Sequence, residues 1–338
     1  MADYEIFDLG DVVLQSKATL RDAKLAYKTF GTLNAKKDNA IVYPTWYSAQ
    51  HYDNEWLIGE NMALDPRRYF IIIPNMLGNG LSSSPSNTPE PYNKARFPRV
   101  TVNDQVRLQH RLVTEKFAIE KLKLVTGWSM GAAQTFEWGA YYPDMVERIC
   151  PFQGAARCSR HNFVFLEGVK AALTADAAYA HGWYEKQPNI GLRAMARVYA
   201  GWGFSQTFYR EKLDLSAMGY ASLEDFLVGF WEGFFLPKDP NNLLALLWTW
   251  QNADIGNNDK YHGDFEKALR SIEAKAFVMP ASTDLYFPPE DSAYEVKHMP
   301  NAELRTVKSI WGHFAGGPGT SPEDIKVLDL ALKELLES

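Results

Sequence analysis

The sequence predicts an α/β protein with a mostly parallel central sheet, flanking helices and an inserted helical cap. Three features of the 338-residue chain support this fold class. Strand-like and helix-like segments alternate through residues 40–143, a stretch from about 157 to 262 has helical periodicity with little strand pattern, and the alternation returns from residue 275 onward. Such alternation favours parallel strands joined by right-handed crossovers. We therefore expect a core of residues 1–156 and 263–338, with residues 157–262 as the cap.

The first strands are recognised from short segments rich in β-forming residues. "YEIFDLGDVVLQ" and "AKLAYKTFG" predict two strands separated by a polar turn. "AIVYPTW" and "RYFIIIPNMLG" predict two buried strands, each ending in a loop that contains proline or glycine. The segment between these two, "NEWLIGENMALDP", is helical or irregular by its pattern.

Later segments repeat the strand–helix order. "TVNDQVRLQHRLVTEKF" predicts a helix capped by Thr101 or Asn103, "KLKLVTGW" a strand, and "MGAAQTFEWGAYYP" a helix that Pro143 ends. After the cap, "KAFVMPAST" and "AELRTVKSI" predict strands, and "PEDSAYEVKHM" a helix between them. "SPEDIKVLDLALKELLES" predicts the terminal helix, with Ser321 as its N-cap and Pro322 in its first turn.

The cap region is rich in aromatic residues. Aromatic residues make up 14% of the chain, which has ten tryptophans. Two interpretations are open: these side chains form the core of a helical subdomain, which is their usual role, or they form a wall around an apolar substrate pocket. Five tryptophans of this region are concerned: Trp183, Trp202, Trp231, Trp248 and Trp250.

Composition excludes several classes of protein. The net charge of -6 opposes a nucleic-acid surface, which needs clustered lysine and arginine to neutralise phosphates. The acidic N-terminal segment has no long apolar run, and no stretch of about 18 uninterrupted apolar residues exists, so we expect neither a signal peptide nor a membrane span. Only two cysteines occur, Cys150 and Cys158, which fits a reducing compartment. We therefore expect a cytoplasmic protein that binds neither nucleic acid nor membrane.

The stretch "LVTGWSMGAAQ" contains a candidate nucleophile. Gly127-Trp128-Ser129-Met130-Gly131 matches G-x-S-x-G between a predicted strand and a predicted helix. In that setting the serine lies on a sharp, strained turn, and the flanking glycines avoid steric clashes. The helix N-terminus directs free N–H groups at an oxyanion. The alternative is an ordinary small-residue turn, but the context favours Ser129 as a catalytic nucleophile.

A serine hydroxyl needs a base and a group that orients the base. His313, in "SIWGHFAGG", follows the last predicted strand, whereas the other six histidines lie in helices, loops or the cap. Asp284, in "PASTDLYFPP", ends the preceding strand. The chain order Ser, Asp, His is the one that this type of nucleophile turn uses. We therefore predict a triad of Ser129, Asp284 and His313, although Asp284 could instead be a turn residue before two prolines.

Two backbone N–H groups should form the oxyanion hole. One is expected from Met130, which directly follows the nucleophile, and the other from the loop "YPTWYSAQH", where Trp46 is the best candidate. We expect no metal site, because the acidic stretch "DIGNNDKYHGD" has neither an EF-hand nor a zinc spacing, and we expect no cofactor. The Gly78-x-Gly80 pair lacks the third glycine of a dinucleotide-binding turn and is interpreted as a loop.

Several stretches together resemble the homoserine O-acetyltransferase branch of the α/β-hydrolase superfamily. They cover nearly the full chain and include "RFPRVTVNDQVRLQHRLV", "GWSMGAAQTFEWGAYYPDMV", "DPNNLLALLWTWQNADIG", "STDLYFPPED" and "GLRAMAR". The resemblance implies an α/β-hydrolase fold, the triad Ser129, Asp284 and His313, and a helical cap that often mediates dimerisation. We therefore expect a homodimer formed through the cap.

The sequence departs from this branch near the catalytic histidine. The transferases follow that histidine with an aspartate that helps recognise the amino-acid acceptor, whereas this chain has Phe314. The resemblance also implies that Arg197 meets the acceptor carboxylate, but Arg197 could equally be a structural arginine on a helix. Some members of this branch act as simple esterases. Phe314 has no charge with which to hold the ammonium group of an amino-acid acceptor.

The favoured interpretation is a serine carboxylesterase that hydrolyses short-chain esters, acetyl esters above all, through an acyl-enzyme, with Arg197 and Phe314 as candidate pocket residues. The first alternative is a homoserine-type O-acetyltransferase that uses acetyl-CoA. The second is a non-catalytic ligand-binding protein on the same fold, which the complete Ser, Asp, His order disfavours.

Overall fold

A computed structural model describes residues 3–338 and contains one eight-stranded sheet with the order β1-β2-β4-β3-β5-β6-β7-β8. β1 and β2 pair antiparallel, β2 also pairs antiparallel with β4, and all other neighbours are parallel. This confirms the predicted α/β fold class. The strands are β1 (Glu5–Val13), β2 (Thr19–Phe30), β3 (Ala40–Val42), β4 (Phe70–Pro74), β5 (Leu124–Trp128), β6 (Arg148–Phe152), β7 (Lys275–Val278) and β8 (Ala302–Leu304).

Helices flank the sheet and fill the interval between β6 and β7. The α-helices are α1 (Val102–Arg111), α2 (Met130–Tyr141), α3 (Arg160–Thr174), α4 (Asn189–Gly203), α5 (Gln206–Arg210), α6 (Leu213–Ser216), α7 (Leu223–Phe226), α8 (Gly233–Phe235), α9 (Pro240–Gln251), α10 (Phe265–Arg270), α11 (Pro289–His298) and α12 (Pro322–Glu337). Short 3-10 turns span His51–Leu57, Lys94–Arg96, Ala177–Gly182 and Gly312–Phe314, and π-helical turns extend α1 over Leu112–Lys116 and α7 over Leu227–Glu232.

Successive side chains of the central strands point alternately into two apolar layers. Ile41 and Leu124 face the layer that includes α12 and the helices between β6 and β7, whereas Val42 and Val125 face the layer packed on α1, α2 and α10. This two-sided burial explains why the central strands read as continuous apolar runs rather than as alternating patterns. None of the helices among residues 3–338 combines the length and the apolar character needed to cross a bilayer.

Local signals place most helix ends correctly. The Thr101 side chain accepts a hydrogen bond from the Asp104 N–H at the start of α1, so Thr101, not Asn103, is the cap. Ser321 occupies the N-cap position of α12, but its side chain does not cap the helix. The last strand is shorter than predicted and ends at Leu304, after which Ala281 and Val307 form one isolated pair.

The helical segment between β6 and β7 begins and ends at neighbouring positions in the structure. Ile255 donates to the carbonyl of Ala156 (3.1 Å) and Cys158 donates to that of Ala253 (2.9 Å), so the two ends of the helical excursion pair antiparallel. Asn258 contacts Glu137 of α2, so the return begins before the expected border at residue 262. The exact division into core and cap remains a prediction.

Candidate active site

The turn between β5 and α2 has the strained geometry that a nucleophile elbow requires. Ser129 has φ 59° and ψ -122°, in the region that disfavours side chains, and its side chain is buried. A Cβ on Gly127 would lie 2.4 Å from the backbone of Gly131, and a Cβ on Gly131 would lie 2.8 Å from the Pro44 carbonyl oxygen. Both glycines are therefore required by close backbone approach.

The structure brings Asp284 and His313 together. The His313 Nδ1 lies 2.8 Å from the Asp284 Oδ2, although the two residues are 29 positions apart in the chain. The other carboxylate oxygen of Asp284 accepts the backbone N–H groups of Tyr286 (2.7 Å) and Phe287 (3.2 Å). The carboxylate is thus fixed in position and available to orient the imidazole.

Trp128 fixes the other side of His313. Its indole ring stacks on the imidazole with centroids 4.7 Å apart, and its Nε1–H donates to the His313 carbonyl oxygen (3.2 Å). The preceding residue, Gly312, has φ +64°, and a Cβ there would lie 2.7 Å from the Ser205 backbone nitrogen. A larger residue at position 312 would therefore displace the histidine.

Ser129 and His313 line the same cavity. Among residues 3–338, however, the Ser129 hydroxyl makes no hydrogen bond within the usual geometric limits. Contacts of this kind often tighten only when substrate binds. The structure therefore places the two groups in one site, and the Ser129–His313 hydrogen bond stays a prediction.

The two expected oxyanion donors are both free. Within the described part of the chain, the backbone N–H groups of Trp46 and Met130 have no acceptor. Gln134 of α2 donates to the Thr45 carbonyl oxygen (2.8 Å), which ties the Trp46 loop to the helix that carries Met130. The arrangement is compatible with two donors for one oxyanion, and their role remains a prediction.

The cavity at these residues has a volume of about 230 Å³ and is lined mainly by aromatic side chains. Eleven of its fifteen lining residues are Phe, Tyr or Trp. Of the five cap tryptophans, Trp231 and Trp250 line the cavity, while Trp202 packs against Phe165 and Trp183 lies under Arg96. Both interpretations of the aromatic cluster therefore apply, each to different members.

Phe314, a candidate pocket residue in the sequence analysis, lines the cavity. Its ring stacks on Phe204 (4.4 Å between centroids) and meets Trp128 and Trp231 edge to face at 5.6 and 5.7 Å. The position that carries an aspartate in the transferases is here part of an aromatic cluster.

Arg197, in contrast, does not line the cavity. Its guanidinium group contacts Glu232 (2.7 Å) and Glu224 (2.5 Å), and 41% of the side chain is exposed. These two carboxylates hold the pKa of Arg197 above its ordinary value and satisfy its charge. We therefore correct the expectation that Arg197 belongs to the substrate pocket and assign it to an ion-pair cluster of the cap.

The sequence analysis did not identify three other residues that line the cavity: Asp53, Tyr199 and Tyr286. Asp53 adds a carboxylate at the edge of the aromatic wall, and burial raises its pKa. The tyrosines come from α4 and from the loop after Asp284, and only the closed fold brings them together. For Tyr286 a signal existed, because it lies two residues after the predicted triad aspartate.

The aspartates of the acidic segment around residue 259 make structural hydrogen bonds. Asp264 caps α10, Asp254 accepts the Gly256 N–H, and Asp259 accepts the Tyr141 hydroxyl. Elsewhere, Asp3, His51 and Glu55 lie near one another, and the two ring nitrogens of His51 contact Asp3 and Asn75.

Comparison with known proteins agrees with the fold described above. The sequence pattern of the alpha/beta hydrolase fold matches residues 49–318. The chain is 42% identical to ethyl acetate hydrolase of Pseudomonas veronii, over 99% of this chain and 96% of that protein. A solved structure of an acetylester hydrolase from Corynebacterium glutamicum is 40% identical with a TM-score of 0.96, over 99% of this chain and 96% of that one.

A second group of relatives is more distant. Homoserine O-acetyltransferase of Trichormus variabilis is 30% identical, over 89% of this chain and 86% of that protein. The predicted resemblance is confirmed, and proteins named as esterases are more similar to this chain than this transferase is.

Proposed function

Because the chain belongs to the alpha/beta hydrolase fold family, we propose that it is a serine carboxylesterase that hydrolyses short-chain esters, acetyl esters above all. The observation that carries the proposal is the Asp284–His313 pair, held at 2.8 Å, with His313 lining the same aromatic cavity as the strained Ser129. The similarity to proteins named ethyl acetate hydrolase and acetylester hydrolase supports the substrate class.

The proposed reaction has two halves. Ser129 attacks the ester carbonyl carbon while His313 takes its proton, and the Trp46 and Met130 N–H groups stabilise the oxyanion. His313 then gives the proton to the leaving alkoxide, which departs as the alcohol and leaves an acyl group on Ser129. In the second half, His313 deprotonates water, the hydroxide attacks the acyl carbonyl, and Ser129 recovers its proton as the acid leaves.

Cavity size supports a short acyl group. About 230 Å³ of apolar space must hold both the acyl and the alcohol parts. Each methylene that fits an apolar pocket adds about 1–3 kcal/mol of discrimination, and one that does not fit loses it. The rings of Phe230, Trp231 and Phe314 pack against one another and form part of the cavity wall.

The alternative is acyl transfer from acetyl-CoA to homoserine. A transferase must hold the ammonium and the carboxylate of its acceptor, because an unpaired buried charge is strongly unfavourable. Arg197 is engaged by two glutamates outside the cavity, and Phe314 offers only an aromatic ring. Asp53 adds one carboxyl group to the wall, but burial raises its pKa and so disfavours the charged form that would hold an ammonium. Water, which needs neither group, is therefore the favoured acceptor.

One experiment separates the two activities. The protein is incubated with ethyl acetate, and separately with acetyl-CoA plus homoserine, and acetate and O-acetylhomoserine are quantified. We expect rapid acetate release from the ester, little O-acetylhomoserine, and no strong increase when homoserine is added to the ester reaction. Efficient formation of O-acetylhomoserine would establish the transferase instead. A serine-directed phosphonate should label Ser129 in the wild type and nothing in Ser129→Ala.

We also propose a homodimer formed through the cap. The proposal is supported by exposed apolar side chains on cap helices, with Ile190 76% and Val164 65% exposed. Sedimentation should give a dimer for the wild type and a monomer for the variant with Val164→Lys and Ile190→Lys. Leu330→Lys, which changes an exposed apolar residue of α12 outside the cap, should leave the dimer intact.

A cytoplasmic location is proposed on the basis of the thiols. Cys150 and Cys158 are both free, and burial raises the pKa of each to about 12, which keeps the thiols protonated and unreactive. Fractionation of cells should recover the esterase activity with a cytosolic marker enzyme, and recovery outside the cell would contradict the proposal.

A further inference from the structure

Lys238 links the cap to the loop that carries Trp46. It lies in the turn between α8 and α9, and its ammonium group donates a hydrogen bond to the Ser48 carbonyl oxygen (2.9 Å), 190 positions away in the chain. Burial lowers the pKa of Lys238, because the charged form is partly removed from water. Lys238 lines not the active-site cavity but an adjoining pocket, which shares Phe234 with it. Any effect of Lys238 on the ester must therefore be exerted through other residues.

The Ser48 carbonyl oxygen belongs to a strained turn. The Ala49 N–H donates to the Trp46 carbonyl oxygen (3.0 Å), which closes a four-residue turn over residues 46–49. Ser48 is the third residue of this turn and has φ 60°, a value that usually calls for glycine or asparagine. Such a backbone conformation persists only where surrounding contacts hold it. The contact with Lys238 holds the carbonyl group of the strained residue itself.

A ring contact ties the same two segments together. Phe234 of α8 lies nearly parallel to the Trp46 ring, with the centroids 6.1 Å apart and 14° between the planes. The Lys238 ammonium lies 4.2 Å from the centroid of the Phe234 ring, a distance at which a cation is attracted to a ring face. We call Lys238 and Phe234 the cap clamp. The cap clamp contacts the turn at two points, the Trp46 side chain and the Ser48 carbonyl group.

We propose that Lys238 is a positioning residue for the oxyanion hole, because it holds the turn that presents the Trp46 N–H. This inference rests on the proposed esterase function and on Trp46 as one of the two oxyanion donors. Within residues 3–338 the Trp46 N–H has no acceptor, so its direction is set by the turn that it begins. Loss of one oxyanion donor lowers kcat by about 10²- to 10³-fold, and a misplacement of about 1 Å can cost about 10²-fold.

A purely structural role of Lys238 predicts a different result. If the contact only stabilised the fold, its loss would lower the melting temperature and leave the turnover of the folded enzyme unchanged. An oxyanion donor acts mainly in the transition state, so its displacement lowers kcat and changes KM little. Separate measurement of kcat and KM therefore distinguishes the two roles.

The test is Lys238→Met, which keeps the apolar stem of the side chain and removes the ammonium group. For ethyl acetate we expect kcat to fall about 10- to 100-fold and KM to change less than about threefold, at a temperature where circular dichroism shows a folded protein. The inhibitor 1,1,1-trifluoroacetone forms a tetrahedral oxyanion on a catalytic serine. Its Ki should rise by about the factor by which kcat/KM falls. Lys238→Arg, which keeps a cation with N–H donors, should retain most of kcat.

Lys37→Met is the matched control. The Lys37 ammonium donates to the Phe117 carbonyl oxygen at the same distance of 2.9 Å, but neither residue lines the active-site cavity. The control variant should keep the wild-type values of kcat and Ki. Lys238→Gln is a second test if Lys238→Met does not fold, because glutamine is one atom shorter than lysine and uncharged. It should lower kcat in the same way.

The outcomes separate this inference from the proposed function. If kcat and Ki keep their wild-type values in folded Lys238→Met, or in Lys238→Gln where Lys238→Met does not fold, Lys238 has only a structural role and the inference is wrong. A rise in KM at unchanged kcat would also overturn it, because Lys238 would then act on substrate entry. If the wild type does not hydrolyse ethyl acetate, the proposed esterase function itself fails, and this inference fails with it.

Discussion

Replacing Glu137 by glutamine should remove part of the pH dependence of stability. Glu137 lies in α2, is fully buried, and accepts hydrogen bonds from the Nδ2 groups of Asn103 (2.6 Å) and Asn258 (3.3 Å). Its second carboxylate oxygen has no partner within residues 3–338. Burial raises the pKa of Glu137 to about 8 from an ordinary value of 4.5. At neutral pH the folded protein therefore carries a neutral carboxylic acid here.

The sign follows from proton binding. Between pH 4.5 and about 8 the folded state keeps a proton that the unfolded state has released, so the free energy of unfolding falls as the pH rises through this window. At about 1.4 kcal/mol per pH unit, the gap between the two pKa values corresponds to a loss of about 4–5 kcal/mol by pH 8. Below pH 4.5 the penalty vanishes, because both states are protonated.

The assay is urea unfolding of the wild type and Glu137→Gln at pH 5, 7 and 9. Glutamine has the shape of the protonated acid and never ionises. The free energy of unfolding of Glu137→Gln should rise by several kcal/mol relative to that of the wild type between pH 5 and 9. Glu120→Gln, a control at an exposed position, should show almost no pH-dependent difference from the wild type. Glu295→Gln should repeat the effect, because burial also raises the pKa of Glu295 to about 8. A constant difference between wild type and Glu137→Gln at all three pH values would refute the reasoning.

Three further predictions concern the site. Ser129→Ala should lower kcat for ethyl acetate by about 10⁴-fold or more with little change in fold by circular dichroism, because the nucleophile is lost, and near-normal turnover would remove Ser129 from the mechanism. Asp284→Asn should lower kcat by about 10⁴-fold, because an amide cannot stabilise the imidazolium of His313, and a loss below tenfold would leave Asp284 a turn residue. Arg197→Ala should leave kcat/KM for ethyl acetate within about twofold and lower the melting temperature slightly, because its ion pairs are partly exposed, whereas a large rise in KM would return Arg197 to the pocket.

The elements that could be predicted from sequence depend on neighbours along the chain. The turn at Ser129 could be recognised from five consecutive residues, because Gly127 and Gly131 are needed where backbone segments approach closely. Thr101 caps α1 for the same local reason. Asp284 and His313 were recognisable because parallel strands bring their carboxyl ends to one edge of the sheet, so residues 29 positions apart meet.

What could not be predicted depends on partners distant in the chain. Arg197 is held by carboxylates 27 and 35 residues away, and no periodicity of α4 indicates them. The sequence also could not tell which tryptophans line the cavity, since Trp231 and Trp248 occupy similar aromatic segments while only Trp231 faces the triad. β8 ends at Leu304, although the N–H groups of Arg305 and Val307 still donate to the carbonyl oxygens of Val278 and Pro280.

The choice between water and an amino-acid acceptor is decided by charge rather than by the triad. The chain is similar over most of its length both to a protein named ethyl acetate hydrolase and to one named homoserine O-acetyltransferase, so overall similarity does not identify the acceptor. An ammonium brought next to Phe314 would lose its hydration and meet rings, with about 1–2 kcal/mol recovered by a cation–π contact against a cost of several kcal/mol. Every 1.4 kcal/mol of that deficit weakens acceptor binding about tenfold, and water suffers no such loss. A single aspartate at position 314 would be costly in the free enzyme, because the carboxylate would be buried among Phe204, Trp128 and Trp231 and would have a counter-charge only while an ammonium is bound. Changing the acceptor therefore requires rebuilding the aromatic cluster around position 314 together with the residue itself.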